Sequence, residues 1–184
     1  VIVPATDRPT TLDACLAAVA AAGPDEVIVV EEPGGAGPAA ARNAGAARAT
    51  GDVLLFVDSD VLIHADAVDR VRAAFAADED LVALFGSYDD AVATEGEVAA
   101  FRNLLHHVVH QRSAGEVHSF WAGIGAVRRD AIAEQPAVFL ERGRNAGAED
   151  PVACLDVAVL AVVVQGQVGP VLLVNVAANL AAGV

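Results

Sequence analysis

Blocks of apolar residues divide the first half of the chain into short runs separated by polar or helix-breaking residues. The runs 1–4, 26–30, 53–57 and 81–85 are continuous and rich in β-branched residues, which is typical of strands that are covered on both faces. Such strands occur mainly in parallel sheets, because helices pack on both sides of those sheets. The pattern therefore predicts four buried strands.

The segments between these runs carry apolar residues at helical spacing. Leu12 and Val19 fall on one face of the first segment, Thr10 and Asp13 fit a capping box at its start, and Gly23 stops it. Further helices are predicted at 38–50, 65–76, 98–111 and 128–135, with a short strand at 118–123.

Strand and helix alternate, which predicts an α/β fold with a mostly parallel sheet, flanking helices and right-handed crossovers. The chain has 184 residues, which is enough for one domain with a substantial core and short for two. We therefore expect residues 1–184 to form a single domain.

Composition limits the partners and the compartment. A net charge of -14 repels nucleic acid and anionic membranes unless a local basic patch overrides it. Cys15 and Cys154 are the only cysteines and form no disulfide framework, so a cytoplasmic location is expected. The uncharged segment 157–184 is interrupted by Gln165 and Pro170. It predicts buried strand and helix, with a membrane-facing surface as the alternative.

The stretch "LLFVDSDV", residues 54–61, ends a predicted strand in two aspartates. Ligands of open α/β sheets bind outside the carboxyl ends of the strands, where Asp58 and Asp60 would repel each other. Mg²⁺ or Mn²⁺ would remove that repulsion, since these ions bind carboxylates together with substrate phosphates. The alternative is a solvated turn in which Asp60 caps the next helix.

Four stretches in order carry a resemblance to a known family: "VIVPATDRP", "EVIVVEEPGGAGPAAARNAGAARATGDVLLFVDSDV", "FWAGIGAVRRDAI" and "AED". Together they resemble family 2 glycosyltransferases of the GT-A fold, over most of residues 1–150. The run "GPAAARNAGAARATGDVLLFVDSD" is the most specific part, and "FRNLLHHVVHQ" followed by "FWAGIGAVRR" resembles bacterial members.

The resemblance implies a nucleotide-sugar-binding half at 1–90 and an acceptor and catalytic half at 91–184. It implies that Asp60 holds the metal, Mg²⁺ or Mn²⁺, and that Asp150 is the catalytic base. The residues implied to bind the donor are Pro4, Ala5, Glu31, Arg42, Asn43 and Asp58. The residues implied on the acceptor side are Trp121, Gly123, Arg128 and Glu149.

The implied reaction is inverting, metal-assisted transfer of a sugar from a UDP- or GDP-sugar to the hydroxyl of a lipid-linked or saccharide acceptor. The implied location is the cytoplasm, with the inner face of the membrane left open, and nucleic acid is not an expected partner. The chain also departs from the family pattern. Leu140 stands where an acid is usual, and Pro151 follows Asp150 where the family continues with glutamate.

Other interpretations remain open at this stage. The residues 35–40 fit G-x-G-x-x-A, a pattern of NAD(P)-binding Rossmann enzymes. A non-catalytic nucleotide-sugar-binding domain would explain the changes around Asp150. His106 and His110 are spaced for Zn²⁺, or they are structural histidines or a basic edge of the acceptor cleft. Trp121 is either an acceptor platform or part of the core.

Overall fold

The structure is a computed structural model that describes residues 1–6, 8–31, 37–88, 97–112, 115–117, 120–133, 159–161 and 173–176. In chain order, its elements are β1 (Ile2–Pro4), α1 (Leu12–Ala21), β2 (Ile28–Val30), α2 (Gly37–Arg48), β3 (Val53–Val57), β4 (Val61–Ile63), α3 (Ala67–Ala77), β5 (Ala83–Phe85), β6 (Ser87–Tyr88), α4 (Glu97–Arg112), β7 (Gly115–Val117), β8 (Ile124–Arg128), α5 (Arg129–Ala133), β9 (Val159–Ala161) and β10 (Leu173–Val176).

The main sheet has five strands in the order β2-β1-β3-β8-β5. Strand β1 is parallel to β2 and to β3, whereas β8 is antiparallel to both β3 and β5. Strand β5 therefore runs in the same direction as β3. Because β8 alone runs the other way, the expected mostly parallel α/β sheet is confirmed.

Both faces of the sheet are buried, as the continuous apolar runs predict. On one face Val3 and Val57 pack with the apolar residues of α1 and α3. On the other face Ile2 and Phe56 pack with residues of α2. Helix α2 approaches β1 so closely that a Cβ on Gly45 would collide with Ile2, which explains a glycine in the middle of this helix.

The first helix begins later than the capping box predicts. The Leu12 amide donates to the Pro9 carbonyl at 3.0 Å, so a turn of the backbone leads into α1. The N-cap is Thr11, without a side-chain cap bond. The predicted capping box at Thr10 and Asp13 is therefore wrong, because a backbone turn, and not a side-chain cap, leads into the helix.

The sequence also misplaces a strand and misses another. The strand predicted at 118–123 is wrong over 120–123, where the chain has no strand and turns at 122–123 before β8 begins, and residues 118–119 lie outside the described residues. Gly123, just before β8, and Gly125 within it hide the strand character of β8. A Cβ on Gly125 would collide with the Phe120 ring, so packing requires glycine there. Strand β4 was not predicted, because only three residues follow the two aspartates before the chain leaves the sheet.

Two smaller sheets complete the described part of the chain. Strand β10 lies between β4, to which it is antiparallel, and β6, to which it is parallel. Strand β9 pairs with β7. The uncharged segment thus supplies two strands, and the helix expected there falls outside the described residues. Among described residues, no helix combines the length and apolar character of a membrane span.

Candidate active site

A cleft of about 540 Å³ opens at the carboxyl ends of β1 and β3. The first two turns of helix α2 face it with Pro38 and Arg42. The remaining lining residues are Pro4, Thr6, Pro9, Thr10, Thr11, Asp58, Ser59 and Asp60. The edge of the sheet where ligands of open α/β folds bind therefore brings the aspartate pair and an arginine together.

A tight turn carries the two aspartates from the main sheet into the second sheet. The Val61 amide donates to the Asp58 carbonyl at 2.9 Å, and the Asp58 amide donates to the Gly123 carbonyl at 2.9 Å. Strand β4 begins at Val61. The alternative in which Asp60 caps a helix is therefore wrong, because a strand follows it.

The two carboxylates differ in their surroundings. Asp58 forms an ion pair with the Arg42 guanidinium, whose side chain is only 14% exposed. Asp60 is exposed at the mouth of the cleft and has no cationic partner within the described part of the chain. Partial burial of its carboxyl, and secondly the charge of Asp58, raise the pKa of Asp60. Asp60 is thus the carboxylate that still lacks a counter-charge.

Cys15 lies directly beneath this turn. Its side chain is fully buried in the core, and its thiol contacts the Asp58 carbonyl oxygen at 3.5 Å. Burial, together with the charges of Asp60 and Asp58, raises the pKa of Cys15 to about 11. The thiol is therefore neutral and unreactive at physiological pH.

An unsatisfied hydroxyl also lies in the cleft. The Thr11 Oγ1 atom is buried and has no hydrogen-bond partner among the residues that the structure describes. Buried polar atoms nearly always have partners, and exceptions frequently mark ligand or solvent positions. Thr11 was missed in the sequence, because its pattern there indicates only a helix start.

A stack of rings adjoins the aspartate turn. The Tyr88 ring stacks on Trp121 at 5.2 Å and on His106 at 5.0 Å between centroids, and His110 meets Trp121 edge-on at 5.3 Å. Burial, then the charges of Asp60 and Asp58, raise the pKa of Tyr88. The stack therefore stands within the electrostatic field of the aspartates. No sequence signal marked Tyr88.

The two histidines are ring-packed residues in this stack. Burial, followed by the charges of His106 and His107, lowers the pKa of His110, so His110 is neutral at physiological pH. In the described part of the chain, no group of three or more histidine, cysteine or acidic side chains is arranged to hold a metal ion.

Trp121 packs among the rings of the site. Its ring stacks on Tyr88, and a Cβ on Gly123 would collide with the indole. These contacts fit a packing residue, and the role of Trp121 as an acceptor platform stays a prediction. Trp121 and Gly123 brace the backbone that accepts the hydrogen bond of the Asp58 amide.

We expect Gly123→Ala to lower the free energy of unfolding by about 1–3 kcal/mol, because the added methyl group overpacks the site. The melting temperature should fall by about 2–4 °C for each kcal/mol. Gly51→Ala is the matched control, since its new Cβ would meet only the Val53 carbonyl at 3.7 Å. Equal melting temperatures for the two variants would contradict the bracing role.

Of the other residues predicted to bind the donor, one lines the cleft and three do not. Pro4 lines the cleft, whereas Ala5 is fully buried behind it and donates its amide to the Val30 carbonyl at 3.0 Å. Glu31 is exposed, and its carboxylate lies 3.3 Å from the Arg8 guanidinium. Asn43 is half-buried on α2 and is not among the residues that line the cleft.

Arg128 does not reach this cleft. It pairs with Val53 at the beginning of β3, about 16 Å along the strand from Asp58. Its guanidinium donates to the carbonyls of Leu81 at 2.7 Å and Phe75 at 3.2 Å. These bonds satisfy carbonyls around the end of α3 and hold Arg128 away from the cleft, so its acceptor-side role stays a prediction.

Glu149 and Asp150 lie outside the described residues. Their predicted roles as acceptor-side residue and catalytic base therefore remain predictions.

A second cavity, of about 380 Å³, lies at the opposite edge of the main sheet. Its walls include Val1, Ile28, Val53, Val71 and Phe75. These are mostly apolar side chains near the amino ends of the strands, which is the edge where open α/β sheets do not bind ligands. The cleft at Asp58 and Asp60 is therefore the candidate site.

Comparison with solved structures identifies glycosyltransferases with the same fold. The 1–349 part of TarS from S. aureus is 18% identical, with a TM-score of 0.51, over 76% of this chain and 49% of TarS 1–349. The mannosyltransferase PcManGT from Pyrobaculum calidifontis, in complex with GDP-Man and Mn²⁺, is 18% identical, with a TM-score of 0.51, over 72% of this chain and 45% of its own. The chain thus spans about half the length of these structures. No curated protein matches it.

The family model for glycosyl transferase family 2 matches residues 17–135. This range contains helix α2, the aspartate turn, the ring stack and strand β8. The fold, the position of the cleft and this match agree with one another, and the chain belongs to glycosyl transferase family 2, with a GT-A fold.

Proposed function

We propose that the chain forms the donor-binding part of a metal-dependent, inverting glycosyltransferase, which moves a sugar from a nucleoside-diphosphate-sugar to an acceptor hydroxyl. The observation that carries the proposal is the cleft in which Asp58, Asp60 and Arg42 meet at the carboxyl ends of the strands. The chain's family and the GDP-Man and Mn²⁺ bound to PcManGT support the same assignment.

The residues of the cleft fit a divalent cation. Asp60 offers carboxylate oxygen, the ligand that Mg²⁺ and Mn²⁺ prefer, and partial burial, followed by the charge of Asp58, raises its pKa. One or two protein carboxylates suffice, because the diphosphate of the donor supplies further oxygens. When bound, the cation neutralises charge on the departing nucleoside diphosphate.

The side chains of the cleft hold the donor in this proposal. Asp58 is oriented by Arg42 and by the turn that Gly123 anchors, and we assign its carboxylate to the ribose of the donor. Thr11 gives its unsatisfied hydroxyl to the donor, which removes the cost of leaving that group unpaired. Pro4 forms an apolar wall of the cleft next to the base.

Transfer also needs a base that removes the proton of the acceptor hydroxyl. We assign that role to Asp150 on the family resemblance, and inversion follows when the activated oxygen attacks the anomeric carbon from the face opposite the leaving group.

The test is a transfer assay with a panel of GDP- and UDP-sugars, Mn²⁺ and simple alkyl glycosides as acceptors. We expect one donor to release nucleoside diphosphate and yield a product of inverted anomeric configuration by NMR. Failure of every donor to release nucleoside diphosphate would refute the enzymatic proposal. Donor binding without release would instead support the second candidate, a non-catalytic nucleotide-sugar-binding domain, which the residues Leu140 and Pro151 favour.

We expect Arg42→Gln to destabilise the metal-free chain by about 1–3 kcal/mol, because charged hydrogen bonds contribute about that much and Asp58 would lose its counter-charge. Mn²⁺ with donor should recover part of the loss, since it adds positive charge beside both aspartates. Thermal denaturation with and without these ligands checks this. An unchanged melting temperature without ligands would contradict the structural role of the ion pair.

A further inference from the structure

Helix α4 is attached to the sheets by rings and polar side chains on its inner side. The His107 Nδ1 atom lies 2.7 Å from the Tyr88 carbonyl oxygen, and Asn103 is 3% exposed. The large apolar residues of α4, such as Phe101 and Leu105, are exposed. Within the described part of the chain, the attachment of α4 therefore depends on the inner ring and polar contacts.

His110 has the most ring contacts on that inner side. Four rings surround it at centroid distances between 5.3 and 6.0 Å, and they are Phe85, Tyr88, His106 and Trp121. The His110 Nδ1 atom is buried and has no hydrogen-bond partner among the residues that the structure describes. The imidazole is thus packed as a neutral ring, without an acceptor for a second N–H group.

The charges that reach His110 from its own helix oppose its protonation. Burial first, and then the charges of His106 and His107, lower the pKa of His110. The two neighbouring histidines lie on the same helix and titrate in the same pH range. In acid they would therefore add positive charge beside His110.

The elements that pack against His110 supply no counter-charge among the described residues. Strands β5 and β6 and the segment before β8 face it with three uncharged rings. The charges of Asp60 and Asp58 act on Tyr88, where they add to burial in raising its pKa, and they do not contribute to the pKa of His110. A proton on His110 would therefore be a buried charge without a partner, which is costly.

The contacts of His110 continue to the turn that carries the aspartates. Trp121 lies between His110 and Gly123, where a Cβ would collide with the indole. The Gly123 carbonyl accepts the Asp58 amide at 2.9 Å. Loss of the His110 ring from this cluster would remove one support of Trp121 and loosen the backbone that holds Asp58.

We propose that His110 is a pH-sensitive switch: the neutral imidazole docks α4 on Tyr88 and Trp121, and its protonation in mild acid releases the helix and loosens the aspartate turn. The consequence for donor binding rests on the proposed transfer function, whereas the release of α4 does not.

The direction of the pH dependence follows from the two states of the helix. The pKa of His110 lies below 6.5 when α4 is docked and returns to about 6.5 when it is released, so release takes up a proton. Docking is therefore strongest above pH 6.5 and weakens as the pH falls below that value. Between pH 7.5 and 5.5 the ratio of docked to released helix falls by no more than about tenfold.

The experiment is a pH titration of the whole chain, followed by the fluorescence of Trp121, the sole tryptophan. Wild-type emission should shift to longer wavelength in acid, with a midpoint below pH 6.5, because release of α4 exposes the indole to water. His110→Phe keeps a ring in the cluster without a site for a proton and should show no such shift. His64→Gln, at a histidine between β4 and α3, is the matched control and should titrate as the wild type does.

Thermal denaturation gives a second readout that a merely structural His110 would not move. The melting temperature of the wild type should fall relative to that of His110→Phe as the pH is lowered from 7.5 to 5.5. His110→Gln, which is also uncharged, should behave as His110→Phe does and replaces it if the larger ring prevents folding. Absence of the wild-type shift, a midpoint above pH 6.5, or the same shift in both uncharged variants would overturn the proposal.

Donor binding at the two pH values separates the switch from the transfer reaction. With donor and Mn²⁺, acid should weaken binding to the wild type more than binding to His110→Phe. If the fluorescence shift occurs and no nucleotide-sugar binds at either pH, the switch stands and the transfer proposal fails. If the donor binds both proteins with the same pH dependence, the proposed coupling between α4 and the aspartate turn is overturned.

Discussion

Asp60→Ala should lose the whole Mn²⁺-dependent part of donor binding while the fold stays intact. A ligand at 100 times its dissociation constant stabilises its protein by about 2.7 kcal/mol, which corresponds to about 5–10 °C in melting temperature for a chain of this size. The wild type should show that increase with donor and Mn²⁺ together, and Asp60→Ala should not. The reason is that Asp60 is the carboxylate of the cleft without a counter-charge.

The ligand-free variant gives an independent check. A folded-state pKa above the unfolded value means that ionised Asp60 costs the folded state stability at neutral pH. Asp60→Ala without ligands should therefore melt at or above the wild-type temperature. Asp52→Ala is the control, because Asp52 is 98% exposed beside the other end of β3. A Mn²⁺ response in Asp60→Ala equal to that of the Asp52→Ala control would show that the metal is held elsewhere.

Asp150→Asn should reduce the single-turnover rate of transfer by about 10²- to 10⁴-fold, which is about 3–5 kcal/mol of activation barrier. The carboxamide keeps the shape of the side chain but cannot accept the acceptor's proton. Donor affinity should change little, because Asp60 and the cleft residues are untouched.

A purely structural Asp150 would behave differently. As the N-cap of a helix that begins at Pro151, its replacement would cost about 1 kcal/mol of stability and leave the rate intact. Asp130→Asn, at an exposed carboxylate of α5, is the matched control and should retain both activity and stability. Full activity with a lowered melting temperature in Asp150→Asn would defeat the catalytic assignment.

The sequence predicts those parts of the fold that depend on local patterns. The strand cores and the buried face of α3, with Val68, Val71 and Phe75, follow directly from apolar runs and helical spacing. Strand β8 does not follow from a local pattern, because Gly123 just before it and Gly125 within it lower the strand propensity, and the rings of Phe120 and Trp121 fill the space beside these glycines.

In the site, too, the features that depend on local sequence patterns are predictable and those that depend on packing are not. The sequence shows the aspartate pair, because it ends a predicted strand. It also shows the helix that carries Arg42, because that helix follows a glycine-rich loop. Two features depend on how distant elements pack. They are the ion pair between Arg42 and Asp58, and the hydrogen bond from Arg128 to the Leu81 carbonyl at the opposite edge of the sheet. Tyr88 joins the site only because β6 lies in the second sheet and α4 packs over it. No local pattern contains that information.

The most direct measurement is isothermal titration calorimetry of the wild-type chain with GDP- and UDP-sugars, with Mn²⁺ and with chelator. The account predicts that at least one nucleotide-sugar binds with Mn²⁺ and that chelator weakens this binding strongly, because Asp58, Asp60 and a diphosphate repel one another unscreened. Equal binding in Mn²⁺ and in chelator, or binding of NAD in place of every nucleotide-sugar, would contradict the assignment of this cleft as a metal-dependent donor site.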